Sequence, residues 1–384
     1  MTVITDQAAL DALCHELAAH SWMTIDTEFL RDKTYYPTLC LVQVAAPEGP
    51  AYAIDPLAKG IDLTPLFDLM ANENVLKVFH AARQDLEIFV NMAGKVPHPV
   101  FDTQVAAMVA GHGDQIGYLN LVQDICGQRL DKGAQFTDWS RRPLTEKQIT
   151  YALDDVIWLR DVYRSLSREL KERGRLDWVK EEMEFLTHLD TYSNPPEESW
   201  KRLKLRTDKP QAIAILMEVC KWREEEAQKR NVPRQRIIRD ETILDLAVHA
   251  PRSAEELKHI RNLGSDVANG KLGAAIMAAI ERAMAKPKNE IPRQDKKKPL
   301  PPSLAPMVEM MKLLLRIVSS ENEVAGRLIA SPEEIEDIAR DDKADVPPMK
   351  GWRFEVFGKE VLDLKHGRVA LAVKGGEIVR HKLG

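Results

Sequence analysis

Trp22-Met23-Thr24-Ile25-Asp26-Thr27-Glu28-Phe29 is the stretch on which the fold turns. Its β-branched and aromatic content reads as a strand, yet two carboxylates interrupt it. Side chains alternate along a strand, so Asp26 and Glu28 project to the same side. Two acids on one face of an otherwise apolar strand are costly, because like charges repel and a buried carboxylate is poorly solvated. A bound cation removes both costs; an edge strand with one wet face also accommodates the pair. Around this segment strand and helix signals alternate. Leu39 to Ala46, Ala51 to Ile54 and Val75 to Phe79 read as strands. Asp6 to His20, capped by Thr5 or Asp6, and Leu86 to Met92 show the helical spacing of apolar residues. After Asp102 the text turns helical. Leu144 to Glu172 is expected to be one long helix, opened by a capping pattern at Thr145. Strands alternating with helices predict an α/β domain of roughly 170 to 190 residues.

Further acids stand on the helices. Asp85 falls near a helix start, where an acid also complements the helix dipole. Tyr151 and Asp155 lie four apart, on one helix face, but Asp154 is three from Tyr151 and neighbours it too. Spacing alone leaves open which aspartate faces a site.

The order of these elements resembles the DEDD exonuclease superfamily: a strand with Asp-x-Glu, an Asp after a strand-to-helix turn, and Tyr-x-x-x-Asp in a long helix. The tyrosine places the chain in the branch named for it; the sister branch carries a histidine five positions before the last aspartate, where Thr150 stands here. The flanking text is similar to the ribonuclease D family over about the first 170 residues. It includes Asp26-Thr27-Glu28-Phe29, Tyr35-Tyr36-Pro37-Thr38-Leu39, His80-Ala81, Phe101-Asp102-Thr103-Gln104, Thr137-Asp138-Trp139 and Arg142-Pro143-Leu144. That resemblance implies a ribonuclease H-like α/β nuclease domain with a mixed sheet flanked by helices. It also implies 3′→5′ exoribonuclease chemistry with two divalent cations, Mg²⁺ or Mn²⁺, bound by oxygen ligands. Asp26 would bridge both ions, Glu28 and Asp155 would serve the ion that activates water, Asp85 the other, and Tyr151 would hold the attacking water.

Asn194-Pro195-Pro196 marks a boundary, after which helical signals run to about Ala285. This second part resembles the HRDC domain through Leu216, Val219, Trp222, Arg223, Ala227, Val232-Pro233, Ile243-Leu244, Leu257 and Leu263-Gly264. Lys286 to Pro302, rich in Lys and Pro, reads as a linker. A weaker HRDC-like match follows, closed by Gly351-Trp352-Arg353 and Phe357-Gly358. The expected domains are residues 1–193 (nuclease), 205–286 (an all-α HRDC bundle), 287–302 (linker), 303–374 (a second all-α bundle) and 375–384 (a tail around Gly375-Gly376).

The net charge is −5, so bulk charge does not advertise a polyanion partner. Basic residues are instead gathered, in Lys201, Arg202, Lys204, Arg206 and Lys209 and again from Lys286 to Lys298. Lys201, Arg202 and Lys204 are candidate substrate contacts, though such runs are also solvated faces. Phe29 is a candidate for stacking on the terminal nucleotide, with core packing as the plain alternative. His80 is both a candidate substrate contact and a natural structural hydrogen-bonding residue. The scattered Cys14, Cys40, Cys126 and Cys220 offer no CxxC pair, and no apolar run approaches the roughly 20 residues of a membrane span. No secretory signal is visible, so a cytoplasmic protein is expected. The partner expected is RNA with a single-stranded 3′ end, precursors of transfer RNA among them, with the protein a monomer. A DNA exonuclease of the same superfamily and an inactive nucleic-acid-binding protein are the alternatives.

Overall fold

The strand signals assemble into one mixed sheet. Its strands are β1 (Val3–Ile4), β2 (Trp22–Leu30), β3 (Thr38–Ala45), β4 (Ala51–Ile54), β5 (Leu76–Phe79) and β6 (Val100–Asp102), in the order β1-β4-β3-β2-β5-β6. β2, β5 and β6 run parallel, as do β1 and β4, while β3 and β4 are antiparallel. The structure, a computed structural model, describes residues 3–131, 133–293 and 299–383. Positions 294–298 of the expected linker and its basic cluster lie outside the described residues. The chain sorts into two units: Met1–Glu28, Cys40–Thr191 and Lys298–Gly384 form the first, Phe29–Leu39 and Tyr192–Lys297 the second.

In the first unit, β2 has a strand on each side, which removes the edge-strand explanation of Asp26 and Glu28. Helices α1 (Gln7–Ala18), α2 (Thr64–Ala71), α3 (Arg83–Ala93), α4 (Thr103–Ala110), α5 (Tyr118–Cys126), α6 (Glu146–Glu172) and α7 (Leu176–Leu186) follow in order. Asp6 caps α1, accepting from the Ala9 amide at 3.0 Å. α6 opens on a capping box in which Thr145 and Gln148 satisfy each other's backbone amides. Its inner side is fixed to the sheet by one buried bond: the Thr24 hydroxyl donates to the Val156 carbonyl at 2.8 Å. Thr24, Asp26 and Glu28 share a strand face, so this bond turns both carboxylates toward α6.

The turn between β5 and α3 is held by Asp102, which is 2% exposed. Its carboxylate accepts from the Ala81, Ala82 and Gln104 amides at 2.9, 2.8 and 2.8 Å. Ala81 sits there at φ 58°, a left-handed conformation a residue with a Cβ adopts only when surrounding bonds impose it.

The segment after position 298 belongs to the same unit as the nuclease sheet. The Trp178 ring of α7 stacks on Trp352, centroids 4.5 Å apart and 10° from parallel. The Arg175 guanidinium lies 4.9 Å from the Trp178 ring centre and donates to the Asn322 carbonyl at 2.6 Å. Arg353 pairs with Glu182, and the Ala325 amide donates to the Met108 carbonyl at 3.0 Å. Gly351 sits at φ 51°, in the left-handed region that favours glycine, beside the Glu181 carboxylate that a Cβ would displace.

The expected tail around Gly375-Gly376 is instead part of a hairpin, and the module before it is not wholly helical. Val369–Lys374 and Glu377–Lys382 pair antiparallel, joined at Gly375 and Gly376 with φ 63° and 87°. Two adjacent positive φ angles make the mirror-image turn that suits the twist of a hairpin, and glycine adopts them without steric cost.

The second unit is a helical bundle. Helix α8 (Pro210–Arg230) packs against Asp240–His249 and Lys271–Ala285 over Leu216, Val219, Ile243, Leu246 and Ile276. Phe29–Leu39 joins it. Asn231, which ends α8 in the left-handed region, accepts through Oδ1 from the Tyr35 and Tyr36 amides at 3.1 and 3.0 Å. The Tyr35 hydroxyl donates to the buried Glu224 carboxylate.

Asp102→Ala leaves buried amides of the β5–α3 turn without acceptors. We expect it to cost about 2–4 kcal/mol of stability, read from the urea midpoint of the nuclease transition. A midpoint within error of the parent's would show that the turn holds without Asp102.

Candidate active site

β2 and α6 meet over an acidic cluster. One carboxylate oxygen from each of Asp26, Glu28 and Asp155 lies within 4.8 Å of the other two. Of the two aspartates that neighbour Tyr151, Asp155 is the one whose carboxylate joins this group, while the Asp154 backbone carbonyl accepts from the Tyr118 hydroxyl at 2.9 Å. Asp85, in the first turn of α3, stands outside the three-oxygen group. It is 6% exposed and accepts from the Thr27 hydroxyl.

The electrostatics are one-sided. Burial first, then the charges of Asp26, Asp155 and Asp85, push the Glu28 carboxyl up to about 10. Burial and the Asp155 charge raise Asp26 well above the carboxylate range, against a hydrogen bond from the Thr27 backbone. Asp85 is raised by burial and by Asp26. Asp155 is raised by burial and by Asp154, and a bond from Tyr151 opposes the shift. Every charge acting on Glu28 is negative, and all the donors are hard oxygens. Such a set fits a hard divalent cation, which would restore the ionised forms.

Tyr151, one turn before Asp155, donates its hydroxyl to that carboxylate. Burial and the charges of Asp155, Glu28 and Asp26 push the phenol above its ordinary value, so it remains protonated. Its ring lies 6.1 Å from the Trp139 ring, itself 2% exposed. The loop bearing Trp139 is anchored by Arg142, which grips Asp55 with two bonds of 2.6 Å and donates to the Trp139 and Cys40 carbonyls.

A cavity of about 330 Å³ opens over the acids, lined by Asp26, His80, Tyr118, Asn120, Gln135, Tyr151 and Asp155 among others. His80 stands at its wall with Nδ1 3.0 Å from the Thr103 hydroxyl oxygen. Tyr118, Asn120 and Gln135 carry no motif of their own; the only hint of Tyr118 was a glycine, Gly117, ahead of a helical pattern. Phe136, beside Gln135, is 94% exposed. Phe29, Lys201, Arg202 and Lys204 belong to the second unit. There Phe29 is half-buried, Lys201 is 2.7 Å from Glu198, Arg202 donates to Asn194, and Lys204 is exposed.

Residues 1–171 match the 3′-5′ exonuclease family model, and residues 213–280 match the HRDC domain. The ribonuclease D of Nitrobacter hamburgensis is 51% identical over 99% of both chains. This chain belongs to the ribonuclease D family. Its activity is that of a 3′→5′ exoribonuclease, a hydrolase. The ribonuclease D of Acidiphilium cryptum is 48% identical over 98% of this chain and 96% of its own. Among solved structures, Escherichia coli RNase D, an exoribonuclease involved in structured RNA processing, superimposes with a TM-score of 0.81 at 28% identity, covering 95% of this chain and 98% of its own. Membership of this exonuclease family implies divalent metal ions, which the ribonuclease D acids fit.

The raised carboxyls make metal-free stability depend on pH. Glu28, ordinarily at 4.5 and here near 10, contributes most below pH 4.5, and the contribution is lost as pH rises toward 10. In EDTA the thermal midpoint should therefore fall from pH 5 to pH 9, and Glu28→Gln should flatten that fall. A midpoint trend identical in the variant would remove Glu28 as its source.

Proposed function

We propose that this enzyme trims single-stranded 3′ ends of RNA, including transfer RNA precursors and other structured RNAs. In this reading it releases nucleoside 5′-monophosphates using two divalent cations, Mg²⁺ or Mn²⁺. The observation that carries the proposal is the convergence of Asp26, Glu28 and Asp155 within 4.8 Å, with Tyr151 donating to Asp155. Asp26 would be shared between the two ions, Glu28 and Asp155 would serve one, and Asp85 would serve the other through water. When bound, the cations acidify a water and neutralise the leaving 3′ oxygen. The protonated Tyr151 orients the attacking water and does not act as a base. His80 and Tyr118 line the cavity where a terminal nucleotide would lie, and an aromatic face accepts any base.

Residues 1–193 would be the nuclease domain, with modules at 205–286 and 303–374 contributing phosphate contacts that carry no sequence choice. Lys201, Arg202 and Lys204, with Phe29, are assigned to RNA holding in the second unit. The protein would act in the cytoplasm as a monomer. Among the described residues no helix is long and apolar enough to cross a membrane.

A 5′-labelled RNA should yield a one-nucleotide ladder from its 3′ end with Mg²⁺ or Mn²⁺ and none with EDTA. A matched DNA strand degraded in preference would overturn the RNA assignment. Asp26→Asn and Asp155→Asn should abolish turnover with the fold retained, and Asp154→Asn should not; equal loss at 154 and 155 would refute the assigned helix face. Tyr151→Phe should lower kcat by on the order of 10²-fold through a misplaced water, leaving the metal concentration needed for half activity unchanged. A shift in that metal requirement would make Tyr151 part of the metal site instead.

A further inference from the structure

In the second unit Arg31, Arg202, Arg223 and Arg234 line one cavity of about 410 Å³, with Asp240 the sole carboxylate among its lining residues. Arg223 is the informative one. It is 3% exposed, and its Nη1 donates to Asp240 at 2.5 Å and to the Ile238 carbonyl at 3.1 Å. Its buried Nε has no hydrogen-bond partner among the described residues. A buried guanidinium donor left unmatched costs stability, so its retention points to an acceptor from outside the chain.

The opposite wall is held rigidly. Arg234 donates through Nε and Nη2 to the two oxygens of Glu224 at 2.5 and 2.6 Å. It also lies 4.7 Å from the Tyr35 ring centre and donates to the Tyr35 hydroxyl at 2.9 Å. Glu224 is fully buried, and its carboxylate lies behind this wall rather than among the residues that line the cavity. Arg202 reaches the same place, 3.9 Å from a Glu224 oxygen. The planar forks of these guanidinium groups match the paired oxygens of a phosphodiester.

We infer that this cavity is a phosphate subsite that grips the backbone of the RNA strand. The volume exceeds what one free phosphate needs, Leu203 and Pro233 add apolar wall beside the guanidiniums, and Arg202 stands in the basic run Lys201 to Lys209. The choice of RNA as ligand rests on the exoribonuclease reading; the phosphate chemistry does not.

The test uses the full chain in EDTA, with fluorescence anisotropy of a labelled single-stranded RNA at several KCl concentrations. The double variant R31Q/R202Q should bind about tenfold more weakly, and its slope of log affinity against log salt should flatten by about 1 to 1.5. Affinity and slope equal to the parent's would overturn the proposal. If the double variant loses thermal stability, R31K/R202K decides: restored binding supports a phosphate subsite, and binding that stays lost despite a native midpoint overturns it. Inorganic phosphate that raises the thermal midpoint of the parent but not of R31Q/R202Q, with RNA binding unchanged, would make this a free-phosphate site and reject the RNA assignment. A parent that binds RNA through this cavity yet never shortens it with Mg²⁺ would sink the exoribonuclease reading and leave the subsite standing.

Discussion

Carboxylates buried together without a counter-charge are the constraint around which the first unit is organised. Asp26, Glu28 and Asp155 repel one another, and burial penalises each of them. Left alone, β2 and α6 would separate at this point. They are held by bonds that ignore the acids: the Thr24 hydroxyl on the Val156 carbonyl, and the capping box that starts α6 in register. Asp102 does the same for the turn that delivers Asp85, spending its own buried carboxylate on backbone amides. Rigid support of this kind lets a site keep a shape that its own charges oppose.

The same logic separates two kinds of acid. Asp55 and Glu224 are buried too, but each is met by a two-pronged arginine, Arg142 or Arg234. Such carboxylates are structural: one fixes the loop that carries Trp139, the other fixes the segment that follows β2 in the chain. The clustered acids Asp26, Glu28 and Asp85 differ: among the described residues, the charges that shift them are those of other carboxylates. Burial therefore does not separate the two kinds of carboxylate, whereas the sign of their surroundings does.

Much of this was legible in the sequence. The Asp-x-Glu strand, the helix start at Asp85, the cap at Thr145 and the Tyr-x-x-x-Asp spacing are local patterns, and local patterns survive without a fold. The choice between Asp154 and Asp155 could not be read locally, since both neighbour Tyr151; it is made by what lies across from the helix. Tyr118, Asn120 and Gln135 were invisible for a related reason: they reach the cavity through tertiary packing, from segments without a distinctive spacing. The hairpin at Gly375-Gly376 was missed although its two glycines are a turn signal, because its outer strand is mostly exposed and gives little hydrophobic alternation. The two helical modules read alike, yet one shares a unit with the nuclease sheet and the other with residues 29–39. That distinction rests on pairs such as Trp178 with Trp352 and Tyr35 with Glu224, far apart in the chain.

The Trp178–Trp352 stack has a consequence for how the chain is made. A ribosome releases Trp178 about 170 residues before its partner, and at roughly 5–20 residues per second that is an interval on the order of 10–30 s. Throughout it, the outer side of α7 must wait in water with its indole uncovered while the intervening bundle emerges and folds. Closure of the Trp178 face thus waits on synthesis of the segment that carries Trp352, and a nascent chain stalled in between presents an unfinished apolar face to chaperones and proteases.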